Sequence, residues 1–256
     1  MATTMHAPTL ASDLLMQIGP LEIRNTMLMA WMGMALLTLL AVLVARTKYK
    51  RVPGRFQAAA ELIIEGVFGL ADSVLQDKKL TRRVFPVVAT FFLYILVSNW
   101  MGILPGVGSI TVEHAGKAVP LFRSLAADVN TTLAFSLISV IMTQALGIAT
   151  IGILPYVRKY IVMPWEKPYG IGMFVGLLEL IGEFARLISF AFRLFGNIFA
   201  GEVLLVVIFY LAPYIVPIPF LGMELFVGVI QALVFTMLTL VFLKMAVTAH
   251  SDPSHA

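Results

Sequence analysis

Between residues 170 and 211 the chain passes through an apolar stretch of abnormal length, with an arginine, Arg193, in its interior. As a helix rising about 1.5 Å per residue this stretch measures roughly 60 Å. That is about twice the ~30 Å thickness of a bilayer's hydrocarbon core. It is therefore expected to be steeply tilted, kinked or split into two segments. A guanidinium keeps its proton at any working pH. Holding one at the centre of a bilayer costs roughly 2.5–3.5 kcal/mol on insertion scales. A chain keeps such a residue where the charge is used or neutralised.

Four further apolar runs, at 26–45, 84–104, 129–154 and 220–247, are each long enough to cross a bilayer. Composition agrees: 60% of residues are hydrophobic and 12% charged, against about 25% charged in soluble domains. The expected fold class is an all-α polytopic membrane protein with about five transmembrane helices, the last two long and steeply tilted. Residues 1–25 read as an N-terminal tail and 26–256 as a single membrane domain. The tail lacks a basic stretch followed by an unbroken apolar core, so the first run is expected to stay in the membrane. The chain has no cysteine, which excludes disulfides, thiolate nucleophiles and cysteine-based metal sites. No internal repeat is evident, which weighs against an inverted-repeat transporter.

Residues 55–76 follow a different pattern. Leu62, Ile63, Val67, Leu70 and Val74 recur near helical spacing, while Glu61, Glu65 and Asp72 occupy other positions. This predicts an amphipathic helix at the membrane interface or packed on a neighbour.

Basic residues set the orientation. Arg46, Lys48, Lys50, Arg51, Arg55, Lys78, Lys79, Arg82 and Arg83 fall between the first and second spans, and Arg158, Lys159 and Lys167 between the third and fourth. The opposite loops hold Lys117 and Arg123, with Arg24 on the tail. Five spans with the basic loops inside put the N-terminus outside and the C-terminus in the cytoplasm. The same clustering beside apolar runs assigns the net charge of +4 to a membrane surface and not to nucleic acid.

This topology orders the charges of the fourth span by depth: Glu179 and Glu183 nearest the cytoplasm, then Arg186, Arg193, Asn197 and Glu202. On a helix Glu179 lies about 21 Å inward of Arg193 and within roughly 40° of it, and Glu202 about 13 Å outward on the opposite side. Asn197 shares the arginine's face, and on the fifth span Glu224 and Gln231 share one face. Carboxylates can exchange protons where burial disfavours their charge. The pattern predicts a split proton path with Glu202 and Glu224 in an outer half, Glu179 in an inner half, and Arg193 as a charge barrier between them. Such an arginine can also draw the proton from a carboxylate on a moving partner, which this chain does not supply.

Simpler roles compete. Arg193 would be structural if another helix paired it, and Glu202 and Glu224 would be structural if they bonded serine, threonine or backbone groups. Glu179 has Glu183 and Arg186 nearby for a local ion network. Asn197 and Gln231 can act as polar glue between helices. Asp128 and Asn130 read as caps of the third span, and Gly196 and Gly201 as points of close helix approach. The histidines, His6, His114, His250 and His255, have no metal-ligand spacing, and no phosphate loop or hydrolytic constellation is present. No cofactor or metal is expected.

Phe-Arg-Leu-Phe-Gly-Asn at 192–197, followed by Ala-Gly-Glu at 200–202, closely resembles the signature helix of subunit a of F-type ATP synthases. Similar stretches are Ala-Asp-Val-Asn-Thr-Thr at 127–132 after Arg123, Asn-Trp-Met-Gly-Ile-Leu-Pro-Gly at 99–106, and Gln-Ala-Leu-Val-Phe-Thr-Met-Leu at 231–238. The resemblance runs from about Phe85 to the C-terminus; the arginine motif is its specific part. It implies that Arg193 faces a rotating ring of c-subunits, each with an essential carboxylate. Glu202, Glu224 and Gln231 then fall on positions of the outer half-channel and arginine region, and Glu179 on an inner-channel position. It implies two tilted helices along the ring, b-subunits of a peripheral stalk and other synthase subunits as partners, ATP turnover elsewhere in the complex, and an energy-coupling membrane such as the bacterial inner membrane. Some relatives carry a histidine at one member of the pair formed here by Glu202 and Glu224; two acids, if close, would repel each other. A transporter or ion channel using the arginine for an anionic substrate is the alternative reading, and a non-conducting membrane scaffold a third.

Overall fold

The structure is a computed structural model and describes residues 12–47, 54–104, 107, 110–114, 117–154, 156 and 171–248. Among them six long α-helices carry the fold: α1 (Asn25–Arg46), α2 (Arg55–Leu75), α3 (Lys78–Gly102), α4 (Val129–Ile151), α5 (Ile171–Leu211) and α6 (Pro217–Thr248). Five of these, all but α2, are long and apolar enough to cross a membrane. The protein is a helical, multi-pass membrane protein.

Helix ends depart from the limits of the apolar runs for local reasons. α3 begins before the apolar run at 84, because Asp77 caps it: its Oδ1 accepts from the N–H groups of Lys79 (2.8 Å) and Leu80 (3.3 Å). Its first turns are therefore polar and invisible to hydropathy. α6 likewise starts at Pro217, inside the proline-rich turn, because a proline's missing N–H costs nothing in a first turn. α5 is a single continuous helix of 41 residues, so of the expected solutions to its length, division into two segments is not the one adopted.

Two antiparallel hairpins, absent from the all-helical expectation, flank the end of the molecule where α1 begins and α3 ends. β1 (Leu14–Ile18) pairs with β2 (Leu21–Arg24), and β3 (Thr111–His114) with β4 (Lys117–Pro120). The first turns at Gly19, whose φ of 62° suits glycine at the opening of a two-residue loop. Asn25, fully buried, joins both hairpins. Its Oδ1 accepts from the N–H of Asp13 (3.2 Å), and its Nδ2 donates to the carbonyl of Pro120 (3.3 Å).

α6 is the central helix. A core of Phe91, Ile95, Phe190, Leu194, Ile198 and Phe235 binds α3, α5 and α6, with Phe190 and Phe91 rings 5.2 and 5.6 Å from Phe235. A second core of Val67, Ala71, Leu75, Val84, Val88, Leu240 and Leu243 seats α2 on α3 and α6. α4 contributes a buried stripe of small side chains, Thr132, Ser136, Ser139, Thr143 and Gly147. Such residues let membrane helices approach closely and bond across the seam, as Ser139 does with Thr239 at 2.8 Å.

α2 packs through Val67, Ala71 and Leu75, while Leu62, Ile63 and Leu70 of the expected apolar set are exposed. At 100° per residue Ile63 and Leu70 form an exposed apolar sector on one flank of the packed residues, and Glu61, Glu65 and Asp72 a polar sector on the other flank. Three sectors suit a helix that touches protein, lipid and water at once.

Candidate functional site

The periodicity of α5 separates Arg193 from the core. Phe190, Leu194 and Ile198 turn inward, whereas Arg193 and Asn197 lie on the exposed side. Among the described residues no carboxylate pairs with Arg193, although ion pairs form elsewhere on the same helix. Ser189 and Ala200 are also exposed on this face, and a Cβ added to Gly196 would meet nothing within 4 Å. Arg193 thus stands in a strip of small residues open to whatever lies outside the chain. The close approach expected at Gly196 is not made within this protein.

Two sequence-selected amides meet beside it. Asn197 Nδ2 donates to Gln231 Oε1 at 2.5 Å, bridging α5 and α6. Gln231 is buried, and among the described residues its Nε2 has no hydrogen-bond partner. The bond ties the two helices together, and among the described residues it leaves one buried donor open next to the arginine's turn.

Toward the hairpin end, Glu202 and Glu224 are brought to adjacent positions on α5 and α6. Glu224 is buried, its carboxylate pressed on the backbone of Gly201, where an added Cβ would overlap it. Here the close approach expected at Gly201 is made. α6 is held against α3 beside this acid: Trp100 Nε1 donates to the carbonyl of Leu225 (3.2 Å), and Asn99 Nδ2 to that of Gly228 (3.3 Å).

Glu202 has a partner that sequence reasoning assigned no role beyond orientation. Arg123 places Nε 3.3 Å from one carboxylate oxygen and Nη2 3.4 Å from the other. Its side chain is 4% exposed, against 27% for that of Glu202. The available signal was that Arg123 is an arginine on the face where basic residues are disfavoured. Asp128 accepts from Ser12 Oγ (2.7 Å), Thr26 Oγ1 (3.2 Å) and the N–H of Asn130 (3.0 Å). It is the N-cap of α4, as expected; Asn130 supplies a backbone donor to that cap and no side-chain cap of its own.

Glu179 and Glu183 stand apart from this cluster. Glu183 pairs with Arg186 at 2.7 Å, and the Arg186 guanidinium lies 4.4 Å above the ring of Phe242 on α6. Glu179 is half-buried one turn earlier. No group of three or more potential metal ligands occurs among the described residues.

Residues 27–244 match the family model described as ATP synthase A chain. The chain belongs to that family. Similar proteins include the ATP synthase subunit a of Moorella thermoacetica, 30% identical over 91% of this chain and 95% of that protein. That of Desulforamulus reducens is 33% identical over 89% and 81%, and that of Geotalea daltonii 34% over 84% and 83%. Within the ATP synthase A chain family match lie Arg193, Asn197, Glu202, Glu224 and Gln231, together with Arg123 and Asp128.

Proposed function

We propose that this chain is the stationary proton-conducting subunit of a rotary ATP synthase, coupling proton flow to rotation of a c-ring through two offset half-channels. The observation that carries the reading is Arg193: a permanent cation at mid-helix, exposed on a face of small residues and without a counter-ion among the described residues. A charge so placed in lipid is tolerable only beside an anion from outside the chain. A ring carboxylate arriving at this face would lose its proton to the path and pair transiently with the guanidinium. The guanidinium releases no proton itself, so protons cannot cross the barrier directly and must travel with the ring.

Glu202 and Glu224 serve the outer half and Glu179 the inner half. Asn197 and Gln231 hold α5 and α6 in register beside the arginine. The N-terminus lies outside and the C-terminus in the cytoplasm of a bacterial inner membrane. Peripheral-stalk b-subunits keep the chain from turning with the ring, and ATP chemistry belongs to other subunits.

Arg193→Ala tests the reading. In inverted vesicles the assembled complex is expected to lose ATP-driven proton pumping to background. Undiminished coupled pumping would refute it.

A further inference from the structure

We infer that Arg186 is a withheld second cation. Glu183 and Phe242 draw its guanidinium off the strip on which Arg193 stands, so that a carboxylate moving along α5 meets one positive charge and not two. The inference deepens the function proposed above and rests on it, because the moving carboxylate belongs to the ring.

The two arginines are seven residues apart on one continuous helix, which is about 10 Å along the axis and roughly 20° around it. By position alone both could reach the same surface. Their side chains do not. Arg193 is exposed among small residues, and among the described residues no carboxylate pairs with it. Arg186 places Nη1 2.7 Å from Glu183 Oε1, its guanidinium carbon lies 4.4 Å from the centre of the Phe242 ring, and its side chain is 21% exposed.

The difference comes from α6. The Asn197–Gln231 bond sets the register of α5 against α6. Four residues from that bond, toward the start of α5 and the end of α6, stand Arg193 and Phe235; eleven residues from it stand Arg186 and Phe242. Phe235 is 2% exposed, and its ring is engaged by those of Phe190 and Phe91, which leaves no open face for a guanidinium. Phe242 lies at the edge of that ring cluster, 5.6 Å from Phe190, and Arg186 covers its face. A cation over an aromatic face gains most where water is excluded, and the Glu183 carboxylate balances its charge.

A ring carboxylate that pairs with Arg193 must leave it again in every step. A second bare guanidinium about 10 Å along the same strip would be a second well for that anion, in surroundings where charges attract strongly. Held by Glu183 and Phe242, Arg186 presents no such well. Both are positioning residues that act through Arg186.

The test measures ATP synthesis and ATP-driven proton pumping per assembled complex in inverted vesicles. Glu183→Gln bares the guanidinium and is expected to lower both rates about ten-fold, the low end of what a bond to a charged group is worth. Adding Arg186→Gln to that variant should recover most of the loss, since no second cation remains. An ion pair that merely held the helix together would not be restored by losing its other half. Phe242→Leu is an independent release: Glu183 has a further interaction, which this change leaves untouched. A weaker slowing is expected, relieved by the same Arg186→Gln. Arg186→Gln alone should be faster than Glu183→Gln alone. The inference is overturned by parent rates in both Glu183→Gln and Phe242→Leu, by double variants as slow as the single ones, or by Arg186→Gln as slow as Glu183→Gln. Each can occur while Arg193→Ala still abolishes pumping, so failure here is distinct from failure of the proposed function.

Discussion

Gly201 owes its identity to a neighbour on another helix. Any Cβ at that position would overlap the Glu224 carboxylate, so Gly201→Ala must push the acid off the backbone it rests on. Displacing a reacting group by about 1 Å can cost about 10²-fold in rate, and a loss of that order in passive flux per assembled complex is expected for this variant. Gly196 has no such neighbour, because its Cβ would meet nothing within the chain. Full flux in Gly201→Ala would mean that the observed seat of Glu224 is not the one that conducts. These two glycines lie five positions apart on one helix, and the sequence offers no distinction between them. Only the partner helix makes one crowded and leaves the other open.

At the level of elements, Asp128 gathers three chain segments at the hairpin end: the segment leading into β1 through Ser12, the start of α1 through Thr26, and the first turn of α4 through the N–H of Asn130. Asp128→Ala removes an N-cap, worth about 1 kcal/mol, and strands two buried hydroxyls at about 1–3 kcal/mol each. A lower thermal midpoint of the purified complex is the expected result; an unchanged midpoint would show that these bonds are dispensable. The helices were legible because lipid demands long apolar runs, and Asp128 as a cap because short polar side chains at helix starts have a local use. The hairpins were not. Each strand has four or five residues, too short for alternation to stand out, and both hairpins are fixed by Asn25, whose bonds reach Asp13 and Pro120 across long sequence separations. The Arg123–Glu202 pair spans 79 positions and joins a loop to a helix, so no periodicity could announce it. The candidate list of Arg193, Asn197, Glu202, Glu224 and Gln231 came from the residues and their motif. Which of them touch came from packing: Asn197 with Gln231, and Glu224 with the backbone beside Glu202.

For the whole molecule, one orientation must serve both the charge distribution and the proton path. The acid cluster, Asp128 and both hairpins lie at the end of the bundle that the basic-residue count assigns to the outside. The exposed Arg46, Arg55, Lys78, Lys79, Arg82 and Arg83 lie at the opposite end, with α2 between them. Inverting the chain would place these cations on the side where they are disfavoured and would exchange the proposed entrance and exit. The absence of cysteine from the sequence makes the orientation directly measurable, since any introduced thiol is the sole target in the chain. Glu22→Cys, at an exposed position of β2, is expected to react with a membrane-impermeant maleimide in intact cells. Thr47→Cys, just past the end of α1, is expected to react only in inverted vesicles. The reverse pattern would overturn the topology, and with it the assignment of Glu202 and Glu224 to the proton's side of entry. It would leave intact the argument that Arg193 separates two halves, because that argument depends on the order of charges along α5 and not on which end faces the cytoplasm.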